Sequence, residues 1–298
     1  MMKSRPSLRS SARAGLNLFL VALLAAGCSY SVSPTFQHED IAASVVSICK
    51  KEYNLDVKTK IVGQTFWLYL PLEDILEPPK KPEKYLEWFE IAQNNAILEE
   101  GTLKLDYSVK AIPEKEKLEE VAYKKSVADA KDKALRTLLR VLLSSKHQKE
   151  TSPIFFYMVT ADIKYGIAIK DLFYYHDLKK ISYSLMSMTE FQHRSIQDTE
   201  LSAGIIGDKE GNSLEYKNIT LGEFIAKQVA HRVKLKFQKP EVEKKADIDK
   251  EVLKAVRNTV KAYDFRDFSL VELNNALTQN RIILNQAAVL NGPAEKKP

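Results

Sequence analysis

Leu55, Val57, Thr59 and Ile61 alternate with Asp56, Lys58 and Lys60, the period-two signature of a strand with one covered face. A helix precedes it over about residues 38–53. There Ile41, Val45, Ile48 and Cys49 recur at helical spacing, Glu39 and Asp40 suit the positive end of the helix dipole, and Lys50 and Lys51 suit the other end. Gly63 and Gln64 turn the chain into a strand over 65–70, with Phe66, Leu68 and Leu70 on one face and Trp67 and Tyr69 on the other. Such a strand is either central and covered twice, or it presents Trp67 and Tyr69 to a partner. The covered arrangement is favoured, because large exposed apolar patches are uncommon on soluble surfaces.

Pro78, Pro79 and Pro82 break the chain ahead of a helix expected over 83–98. Leu103, Leu105, Tyr107 and Val109 then alternate with Lys104, Asp106, Ser108 and Lys110, the clearest strand in the sequence. Pro113, a residue favoured in the first helical turn, opens a helix expected to reach 144, highly charged at first and almost continuously apolar over 134–143. A second hairpin is expected over 154–163 and 167–175. Short helices follow at about 177–185 and 189–196, and a further strand or two between 199 and 219, split by a turn at 207–212. Thr220 and Glu223 have capping-box spacing, and Leu221, Phe224, Ile225 and Val229 line one face of the helix they start.

Val233, Leu235 and Phe237 alternate with Arg232, Lys234 and Lys236, which predicts a strand with a basic outward face. Ile248, Val252, Val256 and Val260 recur every four residues in a helix over about 244–262, and a last hairpin is expected over 265–273 and 281–285. Helix, strand, turn, strand thus recurs near 38–70, 114–175 and 249–285. This echo of elements lacks sequence identity but raises repeated helix-strand-strand units. Antiparallel hairpins interleaved with helices predict an α+β fold rather than a doubly wound parallel one.

Ahead of all this stands a leader. Lys3, Arg5, Arg9 and Arg13 precede 14 uncharged residues from Ala14 to Gly27, a basic start and an apolar middle that read as a secretory signal peptide. The uncharged run is shorter than the roughly 20 residues of a membrane span. Its exit, Leu24-Ala25-Ala26-Gly27-Cys28, resembles the lipobox of bacterial lipoproteins. That resemblance implies cleavage before Cys28, two acyl chains on its sulfur and usually a third on its amine. Two or more chains hold firmly, at about 0.8 kcal/mol per buried methylene. Ser29, where an Asp would favour inner-membrane retention, resembles the outer-membrane default and implies a lipid-anchored protein facing the periplasm. The expected organisation is a signal peptide over 1–27, a membrane-proximal tether over 28–36, α+β units over 37–112 and 113–239, a C-terminal helix-hairpin unit over 240–291 and a disordered tail over 292–298.

The leader changes how the charge is read. Without its four basic residues the Lys and Arg count falls from 45 to 41 against 39 Asp and Glu, and the formal charge from +6 to +2. The basic character is therefore no footprint of nucleic acid, and no nucleic-acid partner is expected. With Cys28 committed to lipid, Cys49 is left alone. Its helical spacing from Ile41 and Val45 points it into the core, since free cysteine is among the most buried residue types.

The chemistry is sparse. The sequence holds no G-x-S-x-G elbow, phosphate-binding glycine loop, H-E-x-x-H or C-x-x-C. No catalytic residue, metal ligand set or cofactor is expected. His176 with Asp177 and His193 with Asp198 would converge only if the short helices folded back, and a zinc site would still need further ligands. Asp208-Lys209-Glu210-Gly211-Asn212 matches a calcium loop only superficially, and a turn is the better reading. The strip Arg232, Lys234 and Lys236 is a candidate for anionic surfaces, against the plainer reading of a strand face or edge protected by lysine. These observations favour a non-enzymatic envelope lipoprotein that contacts a protein partner as an adaptor or assembly component. The competing expectation is a membrane-tethered hydrolase of a cell-wall or lipid substrate, with a site built from scattered residues.

Overall fold

Two mixed sheets carry the fold, each built from antiparallel hairpins joined through a parallel pair. The computed structural model of the protein describes residues 40–119, 121–145, 152–238 and 242–292. Lys58–Val62 (β1), Thr65–Leu72 (β2), Phe155–Asp162 (β7), Ile167–Tyr174 (β8) and Ile196–Leu201 (β9) form sheet 1 in the order β1-β2-β7-β8-β9. Lys84–Glu99 (β4), Thr102–Leu118 (β5), Leu270–Asn275 (β10) and Asn280–Asn285 (β11) form sheet 2 in the order β11-β10-β5-β4. Leu76–Glu77 (β3) and Ala122–Tyr123 (β6) make a small separate pair. Seven α-helices complete the described chain: Ile41–Tyr53 (α1), Lys125–Leu143 (α2), Tyr175–Ser182 (α3), Met188–Arg194 (α4), Leu221–Gln238 (α5), Ile248–Ala262 (α6) and Gln286–Leu290 (α7). The class is α+β. Each large sheet also contains one parallel pair, β2 with β7 and β5 with β10, which hairpin patterns alone do not reveal.

Burial places these elements in layers. Phe66, Leu68 and Leu70 of β2, with Phe156 and Met158 of β7, pack under Ile41, Val45 and Cys49 of α1 and Ala134 and Leu138 of α2. On the opposite face Trp67, Tyr69, Phe155, Tyr157 and Val159 join a second core shared with α5, α6 and sheet 2. Helix α5 connects the two sheets. Phe224 near its start lies 5.2 Å from the ring of Phe155 in sheet 1, and Phe237 at its end lies 5.2 Å edge-on from Phe89 in sheet 2. Cys49 is fully buried, and burial pushes its thiol pKa up, away from the thiolate a nucleophile needs.

Three expected elements are corrected. The helix expected over 83–98 is strand β4, and its bulge explains the misreading. The register shift between Ile91 and Gln93 inserts Ala92 as an extra residue in β4, so the inward positions run Phe89, Ile91, Asn94, Ala96 and Leu98, while the shift between Glu87 and Phe89 places its extra residues in β5. The mixed spacing of two and three mimics a helix. The helix expected to begin at Pro113 begins instead at Lys125, because β5 continues to Leu118. Pro113 falls where β5 loses register opposite Trp88, a place where a missing N–H does not break the ladder. The charges after it form cross-strand pairs, Lys84 with Glu116 at 2.7 Å and Lys117 with Glu87 at 2.6 Å. The strand expected around 232–237 is the end of α5, in which Ile225, Val229, Val233 and Phe237 are buried at four-residue spacing.

The boundary expected between 112 and 113 lies inside β5, and the parallel pairs join strands across both internal boundaries, so all described residues belong to one compact unit. Helix-strand-strand does occur three times, in α1-β1-β2, α2-β7-β8 and α6-β10-β11. In the first copy β1 is an edge of sheet 1, whereas in the second both β7 and β8 are interior, so these two copies do not occupy equivalent places in the sheet. The signal peptide, the tether, Cys28 and the tail from 293 lie outside the described residues.

Candidate functional site

The end of hairpin β4-β5 decides what β4 offers to its surroundings. Glu100 and Gly101 turn the chain with φ of 47° and 72°, the left-handed pair of a tight two-residue hairpin loop that glycine favours. Glu99 and Thr102 are therefore the first pair to exchange both backbone hydrogen bonds. The register then runs without interruption to Asn94 opposite Tyr107. Because bonded and non-bonded pairs alternate, Asn94, Ala96 and Leu98 direct their N–H and C=O groups away from β5, toward the open edge of sheet 2.

That edge borders a cleft of about 540 Å³. Helix α5 forms the floor and lies close against β4. Asn94 Nδ2 donates to the carbonyl of Ala230 at 2.7 Å, and a Cβ on Gly222 would sit 2.4 Å from Leu98 Cδ2. Residues 94 to 98 thus run antiparallel to residues 222 to 230. The far wall is sheet 1, where Tyr157, Leu172 and Ile196 lie in register across β7, β8 and β9. Burial, with Asp198 and Glu223 nearby, pushes the Tyr157 phenol up to about 12.

Charge in the cleft is unevenly satisfied. Glu99 pairs with Lys104 at 3.3 Å, Lys170 pairs with Glu200, and Glu223 Oε2 accepts from the N–H and hydroxyl of Thr220 in the capping box. Among the described residues Asp198 accepts only from the N–H of Thr199. Lys227 and Lys234 are exposed on α5, and no described residue places a carboxylate within 4 Å of either. Asn94 Oδ1 and His231 Nε2 are buried without a hydrogen-bond partner among the described residues.

Burial, followed by the fields of Arg232, Lys234 and His193, lowers the pKa of His231 from 6.5 to about 4. The unfolded chain therefore binds a proton between those values that the folded chain does not. Stability falls as pH drops from about 6.5 to about 4, by up to about 3 kcal/mol. Urea unfolding at pH 7 and pH 4.5 checks this: His231→Gln flattens the dependence, and an unchanged pH profile in the variant contradicts it.

A second cavity, about 350 Å³, lies between α4, α5 and α6 and is lined by Glu190, His193, Arg232, Lys236 and Tyr263 among others. Its charged groups hold the helices together. Arg194 contacts Asp177 at 3.0 Å and Glu190 at 2.7 Å, Arg232 contacts the same Glu190 oxygen at 2.9 Å, and Tyr263 donates to Asp177 at 3.0 Å. The two arginines hold Glu190 below the usual carboxylate range despite its burial.

The residues singled out from the sequence are dispersed. Trp67 and Tyr69 are 4 % and 1 % exposed, so neither presents a face to a partner. The chain itself covers them: Trp67 stacks on Tyr157 at 4.3 Å and donates to the carbonyl of Lys217, and Tyr69 donates to the carbonyl of Asp208. Arg232, Lys234 and Lys236 form no strip, because on a helix residues two apart point in different directions. Arg232 bonds Glu190, Lys236 bonds Glu251 at 2.5 Å, and Lys234 alone faces the cleft.

His176 is exposed beside Tyr174 and Tyr175, and Asp177 is engaged by Arg194 and Tyr263 rather than by a histidine. Both Asp208 oxygens accept from the loop's own donors, the N–H groups of Glu210, Gly211, Asn212 and Ser213 and the Ser213 hydroxyl, which makes the segment a pinned turn. No group of three or more His, Cys, Asp or Glu among the described residues is placed to hold a metal ion, and no described helix is long and apolar enough to cross a membrane. Sequence reasoning missed Asn94, Ala96, Leu98 and Lys227 because the segment containing the first three read as a helix. Comparison with known proteins finds no matching family model, no matching curated protein and no matching solved structure.

Proposed function

We propose that the chain is a lipid-anchored protein of the bacterial envelope that acts without catalysis, as a binding, adaptor or assembly component. The observation that carries this reading is the open end of β4 forming one wall of a cleft floored by α5. An unpaired strand edge beside a groove suits main-chain recognition of another polypeptide. The anchor rests on the lipobox resemblance of residues 24–28 and places the domain near a membrane through Cys28.

A membrane-tethered hydrolase has less support. Asp208 and Asp249, like Glu190, are held below the ordinary carboxylate range by donors around them despite partial burial, whereas a general acid for hydrolysis needs its pKa raised toward the working pH.

Crosslinking in native envelopes tests both halves. The full chain labels with a palmitate analogue, fractionates with membranes and gives a heterodimeric adduct, whereas Cys28→Ser is unlabelled and soluble and gives none. Recovery of monomer alone from the lipidated chain contradicts the adaptor role, and a Cys28→Ser chain that remains labelled contradicts the anchor.

A further inference from the structure

We infer that the cleft receives an extended, acidic polypeptide segment that adds to β4 as a fifth strand of sheet 2 along residues 94–98. This deepens the binding reading and rests on it.

The edges of the two sheets are not alike. β1 carries Lys58 and Lys60, β9 carries Asp198 and Glu200, and β11 carries Arg281, charges of the kind that discourage edge-to-edge pairing. The half of β4 before Gln93 loses register with β5 twice, once at an extra residue in β4 and once at extra residues in β5, a second protective device. Residues 94–98 have neither protection: they are regular, uncharged and open on one side. Their outward backbone groups would pair with an incoming strand. The two orphaned atoms beside them, Asn94 Oδ1 and His231 Nε2, supply further bonding capacity on the same side of the cleft.

Charge selects the occupant. Of the lining acids, Glu99 is paired with Lys104, Glu223 is taken up by Thr220 at the start of α5, and Asp198 stands on the far wall in β9, whereas on the floor beside β4 Lys227 and Lys234 have no carboxylate within 4 Å among the described residues. Seven residues along a helix span about 10 Å, within reach of side chains two to four places apart on a strand. Alternate carboxylates of an extended segment would meet both lysines.

Amide hydrogen exchange on the full chain tests this with two short synthetic peptides, one alternating Thr and Glu and the other alternating Thr and Lys. The acidic peptide is expected to slow exchange at Asn94, Ala96 and Leu98 by about tenfold or more, and the basic one to leave it unchanged. The double variant Lys227→Glu/Lys234→Glu reverses that preference. Ala96→Pro, which removes one outward N–H from an edge strand, abolishes protection by either peptide. Should Ala96→Pro not fold, the charge reversal still decides. Equal protection by both peptides overturns the acidic occupant, and no protection at 94–98 overturns strand addition. If photo-crosslinking from Ile97 in envelopes traps a protein while the peptides fail, this inference falls and the adaptor reading stands. If it traps nothing, both fall.

Discussion

Phe224→Ala is expected to cost the folded chain about 3–5 kcal/mol, with a melting temperature lower by roughly 10 °C. Phe224 is fully buried at the start of α5, and its ring lies 5.2 Å from Phe155, 5.4 Å from Tyr174 and 5.3 Å from Tyr263. Those rings belong to β7, to β8 and to the end of α6, so truncation leaves a cavity where three elements meet and none can close alone. The capping box at Thr220 and Glu223 remains intact, which separates lost packing from lost helix initiation. Guanidinium unfolding measures the effect, and a loss below about 1 kcal/mol would show that α5 is not the element joining the two sheets.

Asp177→Asn is expected to cost about 3 kcal/mol or more. The Asp177 side chain is 3 % exposed and accepts from Arg194 and from Tyr263. Burial, followed by the charge of Asp177, drives the Tyr263 phenol far above its ordinary pKa, so it stays a donor throughout the accessible pH range. An amide in place of the carboxylate turns one acceptor toward a donor and leaves Arg194 short of a charge partner in a buried place. Arg194 also bonds Glu190, so the loss is partial rather than complete. The double variant Asp177→Asn/Arg194→Met should recover part of the cost, because it removes the unpaired charge together with its partner. Additive losses would mean that the two residues act independently.

The sequence was most legible where one side chain period ran unbroken over a whole element. Residues 55–61 alternated, 65–70 and 154–163 were short apolar runs bounded by turns, and both pairs read as hairpins, while the four-residue spacing of Val252, Val256 and Val260 gave α6. Periodicity failed where geometry interrupts it. The bulge at Ala92 in β4 changed the spacing of inward residues, and the two-residue spacing of Val233, Leu235 and Phe237 concealed the four-residue repeat from Ile225 to Phe237. The parallel pairing of β2 with β7 and β5 with β10 is a long-range contact with no local mark.

The two-sided character of Trp67 and Tyr69 was visible in the sequence, but what covers them comes from 139 to 150 residues away, at Asp208 and Lys217. The cleft was hidden for both reasons, because one wall was misread and the other belongs to a separate sheet.

Photo-crosslinking from single positions in intact envelopes addresses the central claim, that the β4 edge is the surface through which this protein works. Ile97 lies on that edge at 38 % exposure, and Ile283 lies on β11, the opposite edge of the same sheet, at 51 %. A photoreactive residue at 97 is expected to give a protein adduct that disappears in the Lys227→Glu/Lys234→Glu background, while the same probe at 283 gives none. Adducts of equal yield from both positions, or from 283 alone, would contradict the claim.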